Sequence, residues 1–371
     1  MTIKVWDYVE EYKIEREEIL AAVDRVFQSG VLVLGNSVKS FESEFATYCG
    51  VRYGVGVDNA TNGICLALKA LGIGQGDEVI TVSNTAVPTV SAIVQAGAIP
   101  RFVDIESDTG LLDVSKLEAA ITSRTRCVIP VHLYGQSVDM RSLLKITSLH
   151  KLRVVEDCAQ AHGASHFGKR VGSMGDMGVF SFYPTKLLGG YGDGGLITTD
   201  SEELDAQLRR LRFYGMKGTY NAEEFGYNSR LDEVQAEILR VKLPRLDGYI
   251  SRRRALAERY RMILNGTSLR MPVERDGNFQ AYYVFVVRHP DRDRIIAELK
   301  ANDIMVNISY PWPIHTMNAF SNLGGAVGDL PVTEAAAKLI FSLPMYPTLT
   351  EQQQDTVCLA LGNILGETVG I

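Results

Sequence analysis

The chain is poor in the residues that hold metals and has no run that could enter a membrane. Its six histidines, in 371 residues, show no HxH spacing and a single HxxxH pair, His162 and His166, too thin a ligand set by itself, so no metal site is expected. The five cysteines, at 49, 65, 127, 158 and 358, form no CxxC pair, and an odd count fits reduced thiols filling a core. No window reaches the roughly 18 uninterrupted apolar residues of a membrane helix. Met1–Asp7 lacks the charged-then-apolar layout of a secretion signal, so cytoplasmic residence away from membranes is expected. A net charge of −6 argues against a broad nucleic-acid surface, which needs clustered Lys and Arg. It leaves room for a local pocket of donors around one anionic small molecule. The one GxGxxG, Gly190–Gly195, runs into a strand-like segment rather than opening a helix, and GxxxxGKS/T is absent, which argues against the usual dinucleotide and P-loop cradles.

What is present is strand–helix alternation. Apolar runs of strand length fall at 53–57, 78–82, 101–104, 126–132, 152–156, 179–182 and 196–199. Helix-period segments lie between them at 63–71, 89–96, 114–121, 140–149 and 202–211. The alternation predicts a mostly parallel sheet covered on both faces, with ligands beyond the carboxyl ends of the strands. The pattern is helical from 231 to 264, with a break allowed at Pro244. Beyond it come a strand at 281–287, a helix at 291–302, a strand at 305–308 and helices at 332–340 and 351–365. A chain this long exceeds what one core usually serves, so two units are expected, 1–245 and 246–371.

Three segments fall at strand ends where one crevice could gather them. Lys186 follows the apolar run Phe180–Phe182 in a turn set by Pro184 and precedes the glycine-rich stretch Gly189–Gly195. Such a backbone can approach a flat ligand closely. Asp157 ends the apolar run before it, with Gln160 three residues on and small Ala159 and Ala161 leaving room for a planar group. Asp58–Gly63 joins a strand to an apolar helix whose first N–H groups could cradle a phosphate. Ser181 could donate to the same anion. A reactive lysine, a buried carboxylate and a phosphate cradle are what pyridoxal phosphate (PLP) asks of a protein. Each segment also has a plainer reading: a solvated lysine, a helix-capping aspartate, an ordinary N-cap and a buried strand serine. Gly226–Arg230, with Asn228, reads as a turn.

Taken together, these segments resemble the nucleotide-sugar aminotransferases of the DegT/StrS family, PLP enzymes of fold type I. The resemblance runs from about Val31 to the end of the chain. It is carried by Gly35 with Phe41–Glu42, Gly74–Ile80, Gly97–Ala98 with Phe102–Asp104, and Pro130–Gln136. Glu156–Asp157 with Gln160–Ala164, Phe180–Lys186 and Gly226–Arg230 complete it. It implies an α/β large domain with a mostly parallel seven-stranded sheet and a smaller α+β domain. It also implies that Lys186 forms the Schiff base and moves a proton, that Asp157 pairs with the pyridine nitrogen, and that Gln160 neighbours the ring. Ala60, Thr61 and Ser181 match phosphate-binding positions. Asn228 matches a residue that reaches the cofactor of the neighbouring subunit, so a homodimer with shared sites is implied. The resemblance further implies L-glutamate as amino donor, pyridoxamine phosphate as the carrier between half-reactions, and a nucleoside-diphosphate keto-sugar as acceptor. Ser83–Thr89 looks like members acting on dTDP-linked 3-keto-6-deoxyhexoses, with a 4-keto-sugar as the alternative. Tyr183 and the segment Ser309–His315 (Ser309, Tyr310 and His315 above all) are candidate sugar contacts, or packing at the domain seam. Family dehydratases replace the lysine with histidine, and a non-catalytic sensor on the fold would not need Lys186, Asp157 and Asn228 intact. Three positions depart from the pattern: Ala60 for glycine, Leu187 for asparagine, and Ala86 for an aromatic ring that stacks on the cofactor.

Overall fold

A computed structural model describes residues 2–218, 220–321, 323 and 325–371. Two helices, α1 (Tyr8–Ser29) and α2 (Asn36–Cys49), precede the sheet. Then come β1 (Tyr53–Val57), α3 (Ala60–Ala70), β2 (Glu78–Val82), α4 (Val87–Gln95), β3 (Ile99–Val103), β4 (Thr125–Val128), α5 (Met140–Leu149) and β5 (Arg153–Asp157). A small hairpin, β6 (Ser165–His166) and β7 (Lys169–Arg170), leads to β8 (Met177–Ser181), β9 (Gly195–Thr199) and α6 (Glu202–Leu211). Seven strands form one sheet in the order β1-β9-β8-β5-β4-β2-β3. Pairings from β3 to β8 are parallel, and β9 runs antiparallel to both its neighbours.

The sheet is buried on both faces, which is why its strands read as continuous apolar runs. Ile80, Val154, Phe180 and Leu196 pack on α2 and α5, whereas their neighbours Val79, Val155, Val179 and Ile197 pack on α3, α4 and α6. Helix ends follow the local chemistry. Asp139 caps α5 by accepting from Ser142 N–H, and Ser201 caps α6, whose first turn holds Glu202, Glu203 and Asp205 and whose last turn holds Arg209 and Arg210.

After the sheet, α7 (Glu233–Lys242) and α8 (Leu246–Ile263) are separated by a 3₁₀ turn, Leu243–Arg245, at Pro244, which has no N–H to continue the ladder. The strand β10 (Asn278–Phe279) joins β6. A third core is built by α8, β11 (Phe285–Arg288), α9 (Arg292–Ala301), β12 (Ile340–Leu343) and α11 (Glu351–Leu365), while α10 (Pro331–Leu339) packs through Ala336 on the α2 and α5 side of the sheet. Ile3 is buried in that core as well, so the chain's start packs with its end.

Four expectations need correction. Residues 114–121 form two short 3₁₀ turns, Val114–Lys116 and Glu118–Ala120, rather than an α-helix. The strand expected at 281–287 pairs only from Phe285, while Ala281 and Tyr283 N–H bond to the carbonyls of Gly135 and Tyr134. Residues 305–308 make an isolated bridge at Asn307, and the real partner of β11 is β12, of which the sequence pattern makes Ile340 the last residue of a helix and assigns 341–343 to no element. Ile340–Leu343 is short, apolar and wholly buried, the case in which periodicity cannot separate strand from helix. Helices α1 and α2 have no counterpart among the expected elements. Glu15, Ile19, Ala22 and Val26 are the buried stripe of α1, and their spacing was its available signal.

Candidate active site

The carboxyl ends of β1, β2, β5 and β8 open on a cavity of about 440 Å³, and six of the proposed cofactor residues line it: Ala60, Thr61, Asp157, Gln160, Ser181 and Lys186. That volume lies in the range of small-molecule sites. Lys186 is placed by a tight turn in which its N–H bonds to the Tyr183 carbonyl at 2.9 Å. The following loop folds back hard. A Cβ at Gly189 would lie 2.4 Å from the Pro184 carbonyl oxygen, so only glycine fits there. The Lys186 ammonium lies 4.8 Å from the centroid of the Tyr283 ring, whose hydroxyl bonds to Thr185 at 2.9 Å. Tyr283 was visible in the sequence only as part of an apolar strand.

Asp157 ends β5 and is buried. One carboxylate oxygen accepts from Thr89 Oγ1 at 2.7 Å and the other from Ala159 N–H at 3.1 Å. No Lys, Arg or His forms an ion pair with it among the described residues. A buried carboxylate without a cation, facing a cavity, calls for a cationic partner from a ligand. A protonated pyridine nitrogen is such a partner.

Asn59 caps α3, its side chain accepting from Asn62 N–H at 2.8 Å. The N–H groups of Ala60 and Thr61 have no acceptor among the described residues and border the cavity, as a phosphate cradle requires. A Cβ at Gly195 would stand 2.9 Å from Ala60 N, so this glycine lets β9 approach the cradle. Ser181 Oγ accepts weakly from Tyr183 N–H at 3.3 Å and stays on the cavity wall. The cavity therefore fits PLP by charge, by donors and by size.

Gln160 is committed on both sides. Its oxygen accepts from Tyr134 N–H at 2.9 Å, and its nitrogen donates to the Tyr310 hydroxyl. Tyr134 and Tyr310 have φ of 60° and 66°, left-handed values that are costly for bulky residues and tend to persist at functional sites. Burial, with Tyr283 and Tyr134 nearby, pushes the Tyr310 hydroxyl well above its ordinary pKa.

The remaining candidates are placed differently. Tyr183 lines the cavity and is half-exposed. Ser309, Tyr310 and His315 are not among its lining residues, although the Tyr310 hydroxyl reaches Gln160 on its wall. His315 is buried, with Nδ1 bonded to Ser83 Oγ at 2.7 Å and Nε2 to Glu334 at 3.2 Å, so it anchors its loop. Asn228 is exposed and away from the cavity, in a bridge with Phe213. Two acceptors that the sequence did not single out also face the cavity, Thr85 and Asp193. One His/Glu/Cys group, His132, Glu156 and Cys158, comes together in the core. Its ligand atoms are spent: His132 bonds to Glu156 and to Val138 N–H, and Glu156 also takes the N–H groups of Gly172, Met174 and Gly175.

A mostly parallel sheet that brings a lysine, an uncompensated carboxylate and a bare helix N-terminus to one cavity defines a PLP enzyme. The comparisons narrow the class. Residues 13–362 match the DegT/DnrJ/EryC1/StrS aminotransferase family, and the chain belongs to it. It is 54% identical to a dTDP-3-amino-3,4,6-trideoxy-alpha-D-glucose transaminase of Micromonospora megalomicea subsp. nigra, over 98% of this chain and 99% of that protein. It is 43% identical to a "Pleiotropic regulatory protein" of Geobacillus stearothermophilus, over 96% and 97% of the two chains. The crystal structure of S. venezuelae DesV in complex with a ketimine intermediate superposes with a TM-score of 0.96 at 41% identity, over 98% of each chain. The protein is a PLP-dependent aminotransferase.

Proposed function

We propose that the protein transfers an amino group from L-glutamate to a keto-sugar carried on a nucleoside diphosphate. The acceptor in this reading is a dTDP-3-keto-6-deoxyhexose, and the product an amino-deoxysugar nucleotide. The observation that carries it is the meeting of Lys186, Asp157 and the α3 N-terminus around one cavity, in a chain 54% identical to a transaminase of that substrate class. When bound, PLP supplies an aldehyde that takes up the amine and a conjugated ring that draws electron density from the reacting carbon.

The chain's residues do the rest. Lys186 holds the cofactor covalently between turnovers and, once released, carries the proton at its ammonium nitrogen. Asp157 keeps the ring nitrogen protonated. The Ala60 and Thr61 N–H groups and Ser181 hold the phosphate. Gln160, locked by Tyr134 and Tyr310, borders the ring with a fixed amide. Tyr183 and Tyr310 are assigned to the sugar, while Ser309 and His315 shape the loop that carries Tyr310. Residues 1–245 act as the cofactor-binding unit and 246–371 close over it, with Tyr283 reaching Lys186. A second copy covers the exposed apolar run Val31–Val33 and the exposed Tyr220 and Phe225, and brings Asn228 to the neighbouring site.

The Lys186→Ala variant is expected to bind PLP without a covalent bond and to transfer no amine. Normal turnover by that variant would overturn the assignment. A regulatory reading, favoured by the Geobacillus relative's name, predicts that the wild-type protein's yellow colour does not bleach with L-glutamate. Parallel assays of 3-keto and 4-keto sugars on dTDP and UDP, with product identification by NMR, separate the acceptors.

A further inference from the structure

We infer that Thr89, backed by Thr85, is a positioning residue that fixes the Asp157 carboxylate for the cofactor. The inference rests on the reading that Asp157 faces the ring nitrogen of PLP. Thr85 Oγ1 lies 2.9 Å from Thr89 Oγ1, and Thr89 Oγ1 donates to Asp157 Oδ2 at 2.7 Å. All three residues are buried, and all three border the cavity.

The chain of hydroxyls has one direction. A carboxylate only accepts, so Thr89 must give it its single proton. The Thr89 oxygen can then only accept from Thr85, whose own lone pairs are left for the cavity. Neither hydroxyl is drawn into helix capping. The residue at the N-cap of α4 is Ala86, which has no side-chain cap, and Thr89 N–H is satisfied by the Ala86 carbonyl at 3.2 Å. A β-branched side chain has few rotamers in a helix, so Thr89 holds its oxygen on Asp157 at small entropic cost. With Ala159 N–H on the other oxygen, both carboxylate oxygens are pinned and the remaining lone pairs are set toward the cavity. At Ala86 the side chain is a single methyl group, too small to orient a ring by stacking. Orientation then falls to the in-plane contact with Asp157, whose geometry the two threonines set.

The test measures PLP affinity by equilibrium dialysis and the visible circular dichroism of the bound cofactor. Thr89→Val keeps the shape and removes the donor. It should weaken PLP binding about tenfold or more, as expected for a charge-assisted bond, and change the dichroism. Thr89→Ser should restore most of both. Thr85→Val should weaken binding about threefold, and the double valine variant should be no worse than Thr89→Val alone, because the second link has nothing left to support. If Thr89→Ser is as impaired as Thr89→Val, or if the two effects add, the hydroxyl chain is refuted. Should Thr89→Val fail to fold, judged by melting of the cofactor-stripped protein, Thr85→Val against Thr85→Ser carries the same test. Asp157→Asn separates the two readings. Unchanged PLP affinity in that variant sinks the role of Asp157 itself, whereas a loss there with none in Thr89→Val sinks only the positioning role.

Discussion

His162 sits without exposure among Phe45, Phe180 and Phe182, with ring centroids 6.2, 5.4 and 5.8 Å away. Burial, with the charge of Lys186 added, pushes its pKa from 6.5 down to about 3. The unfolded chain therefore takes up a proton near pH 6.5 that the folded protein refuses until about pH 3, so stability falls as the pH drops through that window and levels off below it. The loss between pH 7 and pH 5 is about 2 kcal/mol from this one residue, at about 1.4 kcal/mol per unit of pH. Glu156 does not blur the measurement. Burial would raise its pKa, but His132 and the N–H groups of Gly172 and Gly175 hold it below the ordinary 4.5, so its contribution is lost only in stronger acid. Urea denaturation at pH 7 and pH 5 should show a smaller drop for His162→Phe than for the wild-type protein. An equal drop would mean that the ring is not the acid-sensitive group. In the sequence His162 was legible only as part of a family motif, because its setting depends on aromatic residues 117 positions upstream and 18 to 20 downstream.

Asp104 shows how one side chain joins elements distant in the chain. It follows β3, accepts the N–H groups of Val332 and Thr333 at 3.1 and 2.9 Å and the Thr333 hydroxyl at 2.7 Å, and so caps α10. Burial would raise its pKa, but the Thr333 donors and the N–H groups of Ile105 and Val332 hold it low. Asp104→Ala leaves those donors bare and should cost about 2–3 kcal/mol in denaturant unfolding, with Asp104→Asn recovering part of it. A loss below about 0.5 kcal/mol would show that water replaces the cap freely. The sequence marked this aspartate only as part of a family motif, since a cap supplied from 228 residues away leaves no local trace. Local signals did fix other elements: α5, α6 and α11 have the expected bounds because Asp139, Ser201 and Thr350 cap them from within. The site follows the same rule. Lys186, Asp157 and the α3 cradle lie at strand ends that hydrophobic pattern can locate, whereas Thr89, Tyr283 and the commitments of His315 arise from packing between segments.

At the scale of the whole molecule, the question is how many chains make one site. Asn228 is exposed and stands apart from the cavity of its own chain, and the apolar run Val31–Val33 is exposed as well. If Asn228 serves the neighbouring subunit, Lys186→Ala and Asn228→Ala must complement each other. Each variant alone is inactive, or nearly so. In a mixed dimer, the lysine of the Asn228→Ala chain meets the asparagine of the Lys186→Ala chain, and one of the two sites is whole. Random exchange of subunits makes about half the dimers mixed, so about a quarter of all sites should recover. The measurement is amine transfer after the two purified variants are mixed under conditions that allow exchange, against each variant incubated alone. A site built within one chain gives no recovery at any mixing ratio, because every lysine-bearing cavity then carries its own defective Asn228. Recovery near a quarter would place the asparagine in trans and make the dimer part of the catalytic unit.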